Sequence, residues 1–268
     1  MNSKAIRKQL FAAVAMVLVA AVALGSSTYA WFVQSSQVTA DGMKVQAAAE
    51  SGIEITYADS GTWGSVATST AETGVLYPTS TNDVTNWYHA KANASTAKTA
   101  LNDTYEKLTL DATTGETTGE SKYFLLTQYT IRSASDVAAT NLTIDSVTAT
   151  TTGSNSTKLN KALRVAVVIT GDNDSQSKQK VHIYAPNGGD TSYTIWDGTK
   201  TTGPDVTVTA NAGSTAEATT VSVTKSGVVV KVYAWYEGED TELKSVNLPG
   251  SGLTIDTMNL TVKFSATV

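Results

Sequence analysis

Across most of this chain, apolar side chains recur at every second residue, a period that a strand satisfies and a helix does not. Met43, Val45 and Ala47 alternate with Lys44 and Gln46, and after the turn residues Ser51 and Gly52, Ile53, Ile55 and Tyr57 alternate with Glu54 and Thr56. The same grammar predicts strands at Tyr123 to Arg132, Asn141 to Ala149, Ala162 to Thr170, Lys180 to Tyr184 and Ser192 to Trp196. It continues at Asp205 to Thr209, Thr219 to Thr224, Gly227 to Tyr236 and Gly252 to Val268. Strands this numerous, punctuated by Gly, Asn and Asp, imply a mainly β protein built as a sandwich or barrel. The abundant Thr suits such a fold: its branched side chain packs on a pleated sheet while its hydroxyl stays wettable outside.

One stretch departs from the pattern. Between Trp87-Tyr88 and the Thr-, Gly- and Glu-rich run Asp111 to Ser121, the segment Ala90 to Leu101 is tolerant of helix. The reading is a short helical or irregular insertion near 81–121; with few large apolar residues to bury, a disordered surface excursion is the alternative. No fixed-period repeat occurs, which argues against a solenoid.

The N-terminus follows another logic. Lys4, Arg7 and Lys8 precede an almost unbroken apolar run from Leu10 to Leu24, and small polar residues follow at Gly25 to Thr28. This is the pattern of an export signal. As a helix, Leu10 to Gly25 would rise roughly 24 Å, short of the ~30 Å hydrocarbon core, which favours a cleaved signal over a permanent anchor. Small residues place the cut between Ala30 and Trp31. Contact with a membrane is then expected only through an uncleaved signal. The division is residues 1–30 as signal peptide, 31–40 as an extended N-terminal segment and 41–268 as the sandwich domain.

Removing the first 30 residues takes away three of the 19 cations and no anions, leaving 238 residues with 16 basic and 24 acidic side chains, a formal charge of −8. That surface repels nucleic acid and offers no basic run to follow a phosphate backbone. The chain has no cysteine, so disulfides, thiolate metal sites and cysteine nucleophiles are excluded.

Chemistry has little visible seat. A zinc hydrolase needs paired histidines one helical turn apart, and the two histidines here, His89 and His182, are far apart in sequence. No Gly-x-Ser-x-Gly elbow, phosphate-binding Gly-rich loop or dinucleotide fingerprint occurs. Two acidic runs invite calcium. Asp172-Asn173-Asp174-Ser175 opens like a calcium loop but lacks its central glycine and closing glutamate, and Glu237-Gly238-Glu239-Asp240 follows a long apolar strand. Asp172, Asp174, Glu237, Glu239 and Asp240 are therefore the calcium candidates, with solvated turns as the other reading. No other cofactor is expected.

The junction Gly25-Ser26-Ser27-Thr28-Tyr29-Ala30-Trp31-Phe32, followed by Val38-Thr39-Ala40-Asp41-Gly42-Met43-Lys44-Val45, resembles the start of the TasA/camelysin group of secreted proteins of Gram-positive bacteria. Val232 to Asp240 resembles a strand and acidic turn of related exported proteins. The resemblance implies a dedicated signal peptidase, a jelly-roll-like antiparallel β-sandwich and, in some members, assembly into extracellular matrix fibres; camelysin-like members are described as metalloproteases. The freed segment from Trp31 to Ala40 is led by two aromatics. It is a candidate donor strand: Trp31, Phe32, Val33 and Val38 would seek apolar pockets while its backbone adds to a sheet edge of the next copy. Such head-to-tail self-association gives open filaments. The alternative is a monomeric surface adhesin or glycan-binding module using Trp63, Trp87, Tyr88 or Trp196; a secreted hydrolase is third.

Overall fold

A computed structural model of the protein describes residue 16 and residues 38–49, 52–58, 61–90, 105–118, 122–152, 156–193, 206–207, 209–210, 216–238, 240, 242, 253–255 and 257–267. In chain order the strands are β1 (Val38–Ala49), β2 (Ile53–Tyr57), β3 (Val66–Thr68), β4 (Glu72–Leu76), β5 (Tyr88–Ala90), β6 (Tyr105–Lys107), β7 (Leu125–Ser133) and β8 (Thr140–Thr152). A short helix, Ser156–Ala162, leads into β9 (Leu163–Ile169), then β10 (His182–Ala185), β11 (Ser192–Tyr193), β12 (Val206–Thr207) and β13 (Thr209–Ala210). The last are β14 (Glu217–Ala218), β15 (Val228–Tyr236), β16 (Leu253–Ile255) and β17 (Thr257–Thr267).

Two mostly antiparallel sheets face each other as a sandwich. The first orders its strands β14-β8-β17-β1-β16, with β3 and β4 pairing along β1; the second runs β13-β10-β9-β15-β7-β2. Parallel pairs interrupt the antiparallel scheme, because β1 runs alongside both β16 and β17, and β13 alongside β10. The first and last strands among the described residues are thus neighbours.

The first sheet obeys the alternation seen in the sequence. Met258, Leu260, Val262 and Phe264 of β17, with Leu142, Ile144 and Val147 of β8, point into the core. Thr148, Thr150, Thr152, Asn259 and Lys263 are exposed on the outer face. A register shift against Lys263 and Phe264 absorbs Asp145, so the inward set changes from Ile144 to Val147 without losing its face. Across the core, the buried Tyr129 hydroxyl of β7 donates to the Val45 carbonyl of β1 at 2.5 Å and ties the sheets together.

The second sheet is covered on both faces along β9 and the second half of β15, which explains why Leu163–Ile169 and Val232–Tyr236 read as nearly continuous apolar runs. Val165, Val167, Val230 and Val232 face the main core, while Ala166, Tyr233 and Trp235 face a second cluster with Trp87 and Phe124. The region near 81–121 is therefore not a surface excursion in its described part. It lays Trp87 over the outer face of the sheet, stacked on Phe124 at 4.5 Å and edge-on to Trp235 at 5.5 Å. Its described secondary structure is the β5–β6 ladder, with Tyr88 opposite Lys107; residues 91–104, which hold most of the helix-tolerant segment, lie outside the described residues. Strands β3 to β6 were not foreseen. Most of the predicted Thr219 to Thr224 strand is irregular, although the Val223 amide still bonds Ala139 at 2.7 Å.

Gly227 opens β15 with φ +84°, and a Cβ there would lie 2.8 Å from Thr130 Cγ2. Gly227→Ala is expected to cost about 1–2 kcal/mol from the left-handed conformation, read as a lower urea midpoint with unchanged slope.

Candidate functional site

The N-terminal end of β1 occupies a slot between strands from distant parts of the chain. Val38, Thr39 and Ala40 pair with Leu253, Thr254 and Ile255 on one side and with Leu76, Val75 and Gly74 on the other. The ladder to β4 then shifts register between Ala40 and Met43, and on the opposite side pairing passes from β16 to β17. Asp41 and Gly42 separate two half-strands: Val38–Ala40, and Met43–Ala49 held by β17 and β3. Val38 to Ala40, assigned from sequence to the extended segment, are thus paired within the chain's own sheet, and the folded domain begins no later than Val38 because backbone bonds already hold it there. Ala30, Trp31, Phe32 and Val33 lie outside the described residues.

The acidic run after β15 turns inward. Arg164 and Asp240 are both fully buried and form an ion pair at 2.6 Å. The guanidinium also donates to the carbonyls of Lys161, Leu163 and Asp190, and Asp240 accepts from the amides of Asp190 and Glu242. A Cβ at Gly189 would overlap the Lys161 carbonyl, so glycine lets the backbone close around this pair. Glu237 is buried too, accepting from Ser80 Oγ and from Trp235 Nε1 at 3.1 Å. The solvated-turn reading does not describe Glu237 and Asp240, which are buried and accept from internal donors. Glu239 lies outside the described residues.

The other acidic run separates its two carboxylates. Asp174 closes its own turn, accepting from the amides of Lys178 and Gln176, and the first of these holds its carboxyl below the usual range. Asp172 is buried and faces the other way, 2.7 Å from His182 Nε2, with Lys180 Nζ at 3.9 Å. No group of three or more His, Asp or Glu side chains among the described residues is arranged to hold a metal ion.

His182 is the residue that sequence reasoning underrated. In sequence it stood out only as one of two histidines far apart, yet β10 places its ring between two carboxylates: Nδ1 lies 2.7 Å from Glu217 Oε2 and Nε2 2.7 Å from Asp172 Oδ2. The Tyr184 hydroxyl donates to the same Glu217 oxygen at 2.7 Å. Burial alone would pull the imidazole's pKa down; the hydrogen bonds and charges of Glu217 and Asp172 outweigh it and hold it above its ordinary value. Both nitrogens face carboxylate oxygens, an arrangement that favours the charged form of the ring.

The aromatics proposed for glycan binding divide. Trp87 is buried, Tyr88 is packed against the same cluster, and Trp63 is capped by the Arg132 guanidinium at 3.9 Å, itself paired with Glu54. Trp196 lies outside the described residues. Compared with family models, curated proteins and solved structures, the chain matches none.

Proposed function

We propose that this chain is an exported structural subunit of cell-surface or extracellular-matrix filaments of a Gram-positive bacterium, released by cleavage between Ala30 and Trp31 and assembled head-to-tail through its N-terminal strand. The observation that carries the reading is the divided β1. Its first half-strand is held by backbone pairing to β4 and β16 and is separated by Asp41-Gly42 from the half that anchors the domain. A short terminal segment of this kind can leave its slot and be replaced by the identical segment of another copy, since the same backbone bonds re-form in trans. Each copy then gives one segment and receives one, a heterologous contact that propagates. The slot between β4 and β16 is the acceptor in this reading, and residues 31–40 are the donor.

The export-like N-terminus and the resemblance to the TasA/camelysin group support secretion and a matrix role, and the cysteine-free sandwich needs no oxidising partner to stay folded. The partners are other copies of the chain and the signal peptidase. The buried position of Trp87 removes one of the aromatics on which a glycan-binding groove would rest.

Deletion of residues 31–40 from the mature chain tests the reading by negative-stain microscopy and circular dichroism. The expected result is loss of filaments with the β spectrum retained, together with binding of a synthetic 31–40 peptide to the truncated domain. Filaments of unchanged abundance would sink it.

A further inference from the structure

In the first sheet β17 stands between β8 and β1, and among the described residues no ladder joins those two strands directly. On one side Met43–Ala49 of β1 pair with Met258–Phe264, and on the other Thr140–Thr152 of β8 pair with Thr257–Thr267. The inward side chains Met258, Leu260, Val262 and Phe264 are all buried. They share one core with Ile131, Val167, Val230 and Val232 of the second sheet. The strand that links the two halves of the first sheet therefore follows every other described element in the chain.

We propose that β17 is the closing strand of this fold, and that the preceding chain does not hold the sandwich until residues 257–267 enter between β1 and β8. Without β17 the first sheet is two separate pieces. β8 keeps β14, the bonds of Leu142 with Thr219 and Val221, and those of Ala139 with Val223. β1 keeps β3, β4 and the Tyr129 hydroxyl on the Val45 carbonyl. None of these contacts reaches from one piece to the other. A missing central strand opens a gap of about 10 Å, two strand spacings, and every backbone group that faced it loses its partner.

The second sheet does not make up the loss. Its strands, from β2 to β15, all precede β17 in the chain, yet their inner faces pack on the first sheet, and a sheet must bury its apolar face against another layer. Pairing of β1 with β17 also joins the two ends of the described fold, so loop-closure entropy is lost before the contacts compensate for it, and such long-range ladders form slowly. For export, which rests on the function proposed above, the closing strand has a direct use: a chain that crosses a membrane in extended form stays threadable until that strand has paired. The closing role itself does not depend on export.

The mature chain, residues 31–268, is refolded from urea and pulse-labelled by amide hydrogen exchange. The same chain ending at Asp256 is measured alone and with a synthetic peptide of residues 257–268. In the complete chain Val230 and Val232 are expected to gain protection in the same phase as Leu260 and Val262, at rates equal within about twofold. In the chain ending at Asp256 their protection is expected to be roughly a hundredfold lower, and the peptide restores it, whereas a peptide with Leu260→Asp and Val262→Asp does not. Protection of Val230 and Val232 that precedes that of Leu260 and Val262, or that survives in the shortened chain, would overturn the proposal. So would failure of the unaltered peptide to restore it. None of these readouts depends on filament formation.

Discussion

Replacing Asp240 with alanine is expected to lower folding stability by about 3–5 kcal/mol, because it leaves the Arg164 guanidinium charged and unpaired in the interior. The size follows from desolvation. Arg164 and Asp240 are both wholly buried, and the three backbone carbonyls that receive the guanidinium satisfy its N–H donors without neutralising its charge. The amides of Asp190 and Glu242 lose their acceptor in the same step. Urea denaturation should show a markedly lower midpoint. Asp174→Ala is the control: that carboxylate lies in an exposed turn and bonds only local amides, so its loss belongs with loss of a cap, about 1 kcal/mol. Equal effects at the two positions would contradict the buried role of Asp240.

Trp87→Ala is expected to cost about 3–5 kcal/mol, the range for deleting a large buried aromatic. Its ring contacts Phe124, Tyr233 and Trp235, so truncation opens a cavity over β15 and loses three aromatic pairings together. The measurement is again the unfolding midpoint, supplemented by near-ultraviolet circular dichroism. Stability changed by less than about 0.5 kcal/mol would mean that the segment around Trp87 is a dispensable excursion, as the sparse apolar content of that stretch suggested.

Much of the β architecture was legible because strand periodicity is local. The inward set of β17 and the alternation of β1 and β2 need nothing beyond their own residues to be recognised. The double burial of the second sheet was legible in principle from Val228–Tyr236, an apolar run that only Lys231 interrupts, since a strand with one wet face keeps a polar residue at every second place. Strands β3 to β6 were missed because they are short and their pairing partners, not their own patterns, hold them. Glu237 and Asp240 were misread for a related reason. An acidic run is ordinarily solvated, and nothing within it announces that Arg164, 76 residues earlier, waits inside the fold.

The sequence by itself determined that this protein is a cysteine-free β protein with an apolar, export-like N-terminus and Thr-clad strands, because period, composition and charge act over a few neighbouring residues. Only the tertiary structure decided that β1 lies beside β17, that the segment around Trp87 covers part of the second sheet, and that His182 sits between Asp172 and Glu217. Those outcomes depend on groups brought together from distant places in the chain, Glu217 lying 35 residues beyond His182, and their energies arise from burial that no local pattern encodes.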